Sequence, residues 1–276
     1  MEVVVGKTSR LKGVVSAPPS KAYTHRMLIT SSLSKGTSKI LNPLDSDDTR
    51  TTLRAIEAFG AKTELRENRW TVQGQEELQS PTRPIDCGES GSTLRFMIPV
   101  AALAFGPSTF ILSSSLEKRP IAPLLESLKQ LGVESTFQQK KDNSSVKVQG
   151  GGIRGGKTSL RGDISSQFIS GLLFACPRAK EDTEITVTTM LESKGYVQMT
   201  METLAKHGIK VTAKSDFFRL WIPSNQNYHP FDDTVPGDFS SAAFLLVAAA
   251  ITSSRVTVKN LDYQTMQGDK EIVNIL

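Results

Sequence analysis

The run RFMIPVAALA at residues 95–104 decides the fold, because three other stretches of the chain repeat its character. Each stretch is rich in small and apolar residues, and each is followed by a polar break and a short β-branched segment such as STFIL at 108–112. Such a pair is typical of a buried helix followed by a strand. The three copies are HRMLITSSL at 25–33, QFISGLLFA at 167–175 and AAFLLVAAA at 242–250. The sequence therefore predicts one helix–strand module that occurs four times.

A second module follows the first and ends each repeat. Amphipathic helices finish at Gly60, Gly132 and Gly208, which recur at intervals of 72 and 76 residues. A glycine at this place supplies the left-handed conformation that closes a helix. Two short strands come next, for example 62–65 and 70–72. With an extended lead-in segment, the pattern predicts an α/β fold built from βαβαββ units.

Three such units fill residues 17–233, which we expect to form one complete lobe. A fourth unit begins at Asp238 and reaches only the start of its second helix, at 270–276. The glycine and the strands that end the other units do not follow, so we expect the chain to be truncated. Residues 1–16, with 1–5 as a strand, should pair with this fourth unit. The sequence thus predicts an incomplete second lobe made of 1–16 and 234–276.

The composition favours a cytoplasmic protein that binds small anionic ligands. The 276 residues contain no apolar run near the roughly 18 to 20 residues that span a bilayer, and no signal peptide opens the chain. Cys87 and Cys176 lack metal-ligand spacing, as expected for buried thiols in a reducing compartment. The net charge of +5 with only 7% aromatic residues disfavours a stacking platform for nucleic acid. We therefore expect no membrane partner, no nucleic acid and no metal.

One motif resembles a nucleotide-binding loop. Residues 151–158 read GGIRGGKT, which matches G-x-x-x-x-G-K-[ST]. A working loop of this kind must open a helix, whereas the following residues carry Gly162 and lack helical periodicity. We therefore interpret the segment as a crossover between the second and third units, and a P-loop nucleotidase as a minor alternative.

Four helix starts in equivalent repeat positions carry residues suited to anions. Lys21 and Arg26 open the first helix, and Gly91 with Arg95 opens the second. Ser165, Ser166 and Gln167 open the third, and Asp238 opens the fourth. Each motif alone is also compatible with a simple capping turn. If the units pack around an approximate three-fold axis, the helix dipoles would meet at one end and form an electropositive cleft.

Two further positions fit the same cleft. Arg119 precedes Pro120 at a helix start, where a guanidinium is able to bind a carboxylate or phosphate in a bidentate manner. Ser193 occupies the matching place in the third unit. The scattered histidines His25, His207 and His229 form no recognisable catalytic triad or metal motif.

In combination, these motifs resemble those of the 5-enolpyruvylshikimate-3-phosphate (EPSP) synthase family, in its archaeal-like branch. The resemblance spans nearly the whole chain and includes 20–26, 44–48, 88–95, 119–120, 165–167, 193–196, 237–241 and 266–269. It implies a two-lobed fold of βαβαββ units. It also implies transfer of the enolpyruvyl group of phosphoenolpyruvate to the 5-hydroxyl of shikimate 3-phosphate, without metal or organic cofactor. The protein is expected to be a monomer when full-length.

The resemblance implies a role for each matching residue. Lys21 is expected to be catalytic and to contact both substrates, and Gln167 to lie between them. Shikimate 3-phosphate would be held through its carboxylate by Arg26 and through its phosphate by Ser165, Ser166 and Ser193. Gly91 and Arg119 would hold phosphoenolpyruvate.

Three departures from the family pattern qualify these roles. Ala22 stands where many relatives carry a serine at the shikimate ring, and Glu89 replaces a common asparagine near phosphoenolpyruvate. The family's acid and base residues belong to the fifth and sixth units, so we expect the 276 residues alone to be inactive and to keep a partial site for shikimate 3-phosphate. An amino-sugar enolpyruvyl transferase would need a reactive cysteine near 112–120, which this sequence lacks. A non-catalytic module that binds anions or nucleic acid remains the alternative from another class.

Overall fold

The chain folds into helices and strands that alternate along most of its length. The computed structural model describes residues 4, 6, 8–139, 144–214 and 216–276. The strands are β1 (Lys12–Ser16), β2 (Gly36–Leu41), β3 (Lys62–Arg66), β4 (Arg69–Gly74), β5 (Ile85–Asp86), β6 (Ser108–Leu112), β7 (Ser135–Gln138), β8 (Ser144–Val148), β9 (Gly156–Leu160), β10 (Thr183–Val187), β11 (Thr212–Lys214), β12 (Arg219–Ile222), β13 (Asp233–Thr234) and β14 (Arg255–Lys259). The helices are α1 (Lys21–Leu33), α2 (Asp47–Ala58), α3 (Gly91–Ala101), α4 (Ser114–Glu117), α5 (Ala122–Gln130), α6 (Ser166–Ala175), α7 (Lys194–Lys206), α8 (Phe239–Ile251) and α9 (Ile272–Ile275).

Three four-stranded sheets share one topology, which is the structural form of the predicted repeat. Their strand orders are β13-β2-β4-β3, β5-β6-β8-β7 and β9-β10-β12-β11. In each sheet the first pair is parallel and the other two pairs are antiparallel. In the first sheet the parallel edge strand is β13, which follows the third unit in the sequence. Its residues Asp233 and Thr234 pair with Ile40 and Leu41 of β2.

Helices α1, α3 and α6 lie in the centre of the molecule. All residues of α1 from 23 to 33 are buried, which explains why its sequence has no polar face. α3 and α6 approach closely at Gly171, where an added Cβ atom would lie 2.4 Å from the Arg95 carbonyl oxygen. Only glycine permits this contact, so the packing of the central helices depends on it.

The predicted helix ends are confirmed. Gly60, Gly132 and Gly208 have φ values of +102°, +84° and +82°, in the left-handed region that favours glycine. The prediction for residues 151–158 is also confirmed, because β9 starts at Gly156 where a nucleotide-binding loop would require a helix.

One helix begins earlier than the sequence pattern indicates. The amphipathic pattern predicts a helix at 201–208, whereas α7 starts at Lys194. Packing overrides local preference here, since Gly195 lies so close to Gly268 that an added Cβ atom would be 2.9 Å from its amide nitrogen. A residue with poor helix propensity is thus held in a helix by a tight tertiary contact.

Residues 12–16 pair with the fourth unit, as predicted. β1 runs parallel to β14 in a two-stranded sheet that is separate from the other three. The strand predicted at 1–5 falls almost wholly outside the described residues. Helix α8 is apolar around its circumference, yet Phe244 is 80% exposed. Within the described part of the chain, none of the helices combines the length and apolar character needed to cross a membrane.

Candidate active site

The N-termini of α1, α3, α6 and α8 converge on one cleft of about 850 Å³. Ser90, Ser165 and Asp238 cap three of these helices by accepting hydrogen bonds from backbone amides. The predicted ligand-holding residues that line the cleft are Lys21, Ala22, Arg26, Gly91, Arg119, Ser165, Ser166, Gln167 and Ser193. The structure thus brings together the full set of side chains and helix ends that the sequence placed in different repeats.

Arg26 is a buried cation whose neighbours do not neutralise it. Its guanidinium donates to Thr200 Oγ1 at 2.9 Å, to the Ala22 carbonyl at 2.8 Å and to the Tyr196 carbonyl at 2.9 Å. It also lies over the rings of Phe96 and Tyr196, at 5.2 and 5.8 Å from their centroids. Burial lowers the pKa of Arg26 to about 10. None of the ion pairs formed by the described residues includes Arg26.

A second pair of arginines surrounds Gly91. A Cβ atom added at Gly91 would lie 3.0 Å from Arg119 Nη1 and 4.0 Å from Arg95 Nη1. Burial, and then the positive charge of Arg119, lower the pKa of Arg95. The two neighbouring positive charges of Arg95 and Arg119 favour a bound anion between them. Gly91 has no side chain, so it leaves space for that anion.

Gln167 is held in place from both sides. Its Oε1 atom accepts from Arg95 Nη1 at 2.7 Å, and its Nε2 donates to Ser92 Oγ at 2.9 Å. The sequence placed Arg95 one turn inside its helix but assigned it no role. Its spacing from Gly91 was the signal that it faces the same cleft.

Acidic side chains also lie at the cleft. Lys21 Nζ donates to Asp48 Oδ2 at 2.8 Å, and Glu89 accepts from the Ser115 hydroxyl. Because Lys21 and Asp48 are 52% and 29% exposed, this ion pair contributes only about 0–1 kcal/mol of stability. Lys21 therefore loses little free energy when it leaves Asp48 for an anionic ligand.

On the side of α7 and α8, the cleft is lined by the polar side chains of Tyr196 and Ser240, which both donate to Asp269. Asp269 Oδ2 accepts from Tyr196 Oη at 3.0 Å and from Ser240 Oγ at 2.7 Å. Burial first, and the charge of Asp269 second, raise the pKa of Tyr196. Asp269 belongs to the motif at 266–269, but nothing in the local sequence indicates that this residue reaches α7. Tyr196 and Ser240 are therefore held in place at the cleft by their shared acceptor.

The fold places the chain in a defined structural class. Two EPSP synthase structures from Acinetobacter baumannii resemble it with TM-scores of 0.81 and 0.82 at 24% and 23% sequence identity. The two alignments cover 96% and 97% of this chain, and 58% and 60% of the respective Acinetobacter chains. The chain thus has the EPSP synthase-type α/β fold, as the repeated units predicted.

Sequence comparison identifies the family itself. The family described as EPSP synthase (3-phosphoshikimate 1-carboxyvinyltransferase) matches residues 5–276. Proteins named 3-phosphoshikimate 1-carboxyvinyltransferase from Methanocaldococcus jannaschii and Clostridium perfringens are 42% and 40% identical over 278 residues. These matches cover 99% and 100% of this chain, and the chain spans 64% of the length of each relative. The chain belongs to the EPSP synthase family.

Proposed function

We propose that the cleft binds shikimate 3-phosphate and phosphoenolpyruvate, and that it serves the transfer of the enolpyruvyl group to the shikimate 5-hydroxyl with release of phosphate. The observation that carries the proposal is the buried, unneutralised guanidinium of Arg26. A buried cation without an acidic partner is costly unless a ligand supplies the negative charge. The 42% identical relative carries the name of this transferase.

Shikimate 3-phosphate would lie across the cleft with its carboxylate at Arg26. The Nη1 and Nη2 atoms each retain an N–H beyond the bonds to Ala22 and Tyr196, and together they form a fork that fits a carboxylate. The phosphate would lie at the start of α6, near Ser165, Ser166 and Ser193. Ser165 accepts from the Gln167 amide, so its own hydroxyl proton is available to a phosphate oxygen.

Phosphoenolpyruvate would occupy the space over Gly91, between Arg95 and Arg119. Lys21 and Arg119 would stabilise the charge that develops on its phosphate as the tetrahedral adduct forms and collapses. Gln167, fixed by Arg95 and Ser92, would lie between the two substrates and orient them.

We also infer that residues 17–233 form one lobe, while 1–16 and 234–276 contribute to a second. The pairing of β13 with β2 supports a boundary close to 233, because this strand closes the first sheet and ends at Thr234, before α8 begins at Phe239. The low aromatic content supports small-molecule rather than nucleic-acid partners. Two buried free cysteines support a reducing compartment such as the cytoplasm.

Isothermal titration calorimetry of the 276-residue chain tests the proposal. Shikimate 3-phosphate should bind at physiological salt, and shikimate should bind more weakly because it lacks the phosphate. A short single-stranded RNA is the comparison ligand, since a nucleic-acid-binding module would bind it with a steep salt dependence. Tighter binding of the RNA, or no heat with shikimate 3-phosphate, would reject the proposed function.

A further inference from the structure

His25 is a cleft residue to which the sequence analysis assigned no role. It lies one turn after Lys21 on α1, lines the cleft and is only 1% exposed. Its Nδ1 atom is 2.7 Å from Thr52 Oγ1. Its Nε2 atom is also buried, and it has no hydrogen-bond partner among the described residues. A buried polar ring nitrogen without a partner needs an explanation, because such groups are nearly always satisfied.

A chain of hydroxyl groups determines which ring nitrogen carries the proton. Thr52 Oγ1 is 2.6 Å from Thr93 Oγ1, which is 2.7 Å from Ser90 Oγ. If each hydroxyl donates towards the ring, in the order Ser90, Thr93, Thr52, then His25 Nδ1 accepts and Nε2 carries the hydrogen.

The opposite proton order is less favourable. In that order His25 Nδ1 donates to Thr52 and Thr52 donates to Thr93. Thr93 must then donate to Ser90, which leaves the buried Ser90 hydroxyl without an acceptor among the described residues, or to the Asp48 carbonyl at 3.4 Å, beyond the usual range of roughly 2.5–3.0 Å for such bonds. The short contacts therefore favour the tautomer that keeps an unsatisfied Nε2–H donor.

The charged groups that face His25 all belong to the cleft. Asp48, Arg26 and Lys21 are the charges that influence its ring. Burial, the largest effect, lowers the pKa of His25 to about 3, so the ring is neutral near pH 7. His25 thus offers a hydrogen bond without adding a charge to a cleft that already holds several cations.

We infer that the Nε2–H of His25 is a further ligand contact of the cleft, donating to a carboxylate or phosphate oxygen of the bound substrate. This inference rests on the proposed function, because it assumes an anionic ligand beside Lys21 and Arg26. It also explains why a chain of hydroxyl groups leads to the His25 ring. Thr52, Thr93 and Ser90 fix the tautomer and hold the donor in one orientation.

Two substitutions separate the contacts of the ring. His25→Asn keeps an acceptor for Thr52 near the position of Nδ1 and removes the donor. His25→Gln places an amide donor near the position of Nε2. We expect shikimate 3-phosphate to bind roughly 10- to 100-fold more weakly to His25→Asn, and His25→Gln to recover most of this loss. Equal affinity of His25→Asn and the unsubstituted chain would overturn the inference.

Nitrogen-15 NMR of the unsubstituted chain provides a test that does not depend on the folding of a variant. The chain has three histidines, so His25 can be assigned by its absence from the spectrum of either variant. Titration with shikimate, inorganic phosphate and shikimate 3-phosphate should move the His25 Nε2–H signal. A shift with shikimate identifies the carboxylate as the acceptor, and a shift with inorganic phosphate identifies the phosphate.

The two proposals fail in different ways. If calorimetry detects binding of shikimate 3-phosphate while the His25 signal stays in place, the inference about His25 is wrong and the proposed function stands. If none of these ligands produces heat, the proposed function fails as well. His207, which is bound to the His229 carbonyl and to Ser34 outside the cleft, is the internal control and should not shift.

Discussion

Replacement of Arg26 by methionine should separate ligand affinity from stability. The free Nη1–H and Nη2–H groups would each donate to the shikimate carboxylate, and a hydrogen bond to a charged group contributes roughly 1.5–3 kcal/mol. Loss of both amounts to roughly 3–6 kcal/mol, which corresponds to about 100- to 20,000-fold weaker binding of shikimate 3-phosphate. Calorimetry measures this change directly.

Stability should respond in the opposite direction or not at all. Arg26→Met removes a buried charge that has no acidic partner among the described residues, and such an unpaired buried charge opposes folding. Two of the three acceptors that it leaves keep a polar neighbour, since the Tyr196 carbonyl also accepts from Thr200 Oγ1 at 3.0 Å and Thr200 Oγ1 lies 2.8 Å from Ser170 Oγ. Urea denaturation should therefore give an unchanged or higher free energy of unfolding.

Arg178 provides a matched control outside the cleft. It donates to the Glu76 carbonyl at 2.6 Å and to the Leu33 carbonyl, and its guanidinium lies over the ring of Tyr228. Unlike the Tyr196 carbonyl, these two carbonyls accept from no second donor among the described residues. Arg178→Met should therefore lower the free energy of unfolding by about 1–3 kcal/mol and leave ligand affinity unchanged. The reasoning is refuted if Arg26→Met binds shikimate 3-phosphate normally, or if it destabilises the chain as Arg178→Met does.

Four further changes test other parts of the account. Asp48→Asn should strengthen binding of phosphoenolpyruvate up to about five-fold, because it frees Lys21 from a half-exposed ion pair, and added salt should reduce the gain in calorimetry. Gly91→Ala should weaken phosphoenolpyruvate binding about ten-fold or more while binding of shikimate stays unchanged, since the new methyl group would meet Arg119 Nη1 at 3.0 Å. Ser193→Ala should weaken binding of shikimate 3-phosphate about ten-fold and leave shikimate unaffected, and equal losses for both ligands would contradict a phosphate contact. Burial lowers the pKa values of His25 and His207 to about 3 and about 4. Between about pH 6.5 and pH 4 the unfolded chain therefore binds more protons than the folded chain. As the pH falls through this range, each histidine should lower the free energy of unfolding by about 1.4 kcal/mol per pH unit. His25→Gln should reduce this slope in urea titrations.

The repeat pattern was sufficient to predict the units because each one carries its own local signals. Apolar helices, the glycine ends at Gly60, Gly132 and Gly208 and the strands after them are encoded over short stretches. The long-range closure of the first sheet was not predictable in this way. Asp233 and Thr234 form a two-residue strand without any periodicity, and only the tertiary structure shows that they complete the sheet of β2.

In the cleft, too, the residues in local motifs were predictable from the sequence, whereas the long-range contacts were not. The sequence identified Lys21, Arg26, Gly91 and the serines of α6 because they open helices in equivalent positions. It did not reveal that Asp269 reaches Tyr196, since these contacts join elements far apart in the chain. The buried state of Arg26 was also hidden, because its aromatic neighbours come from different units.

A crystal structure of the 276-residue chain with shikimate 3-phosphate tests the central claim most directly. We expect the ligand to lie in the cleft with its carboxylate on Arg26 and its phosphate at Ser165, Ser166 and Ser193. A ligand bound elsewhere on the chain, or one whose phosphate lies at Arg26, would contradict it.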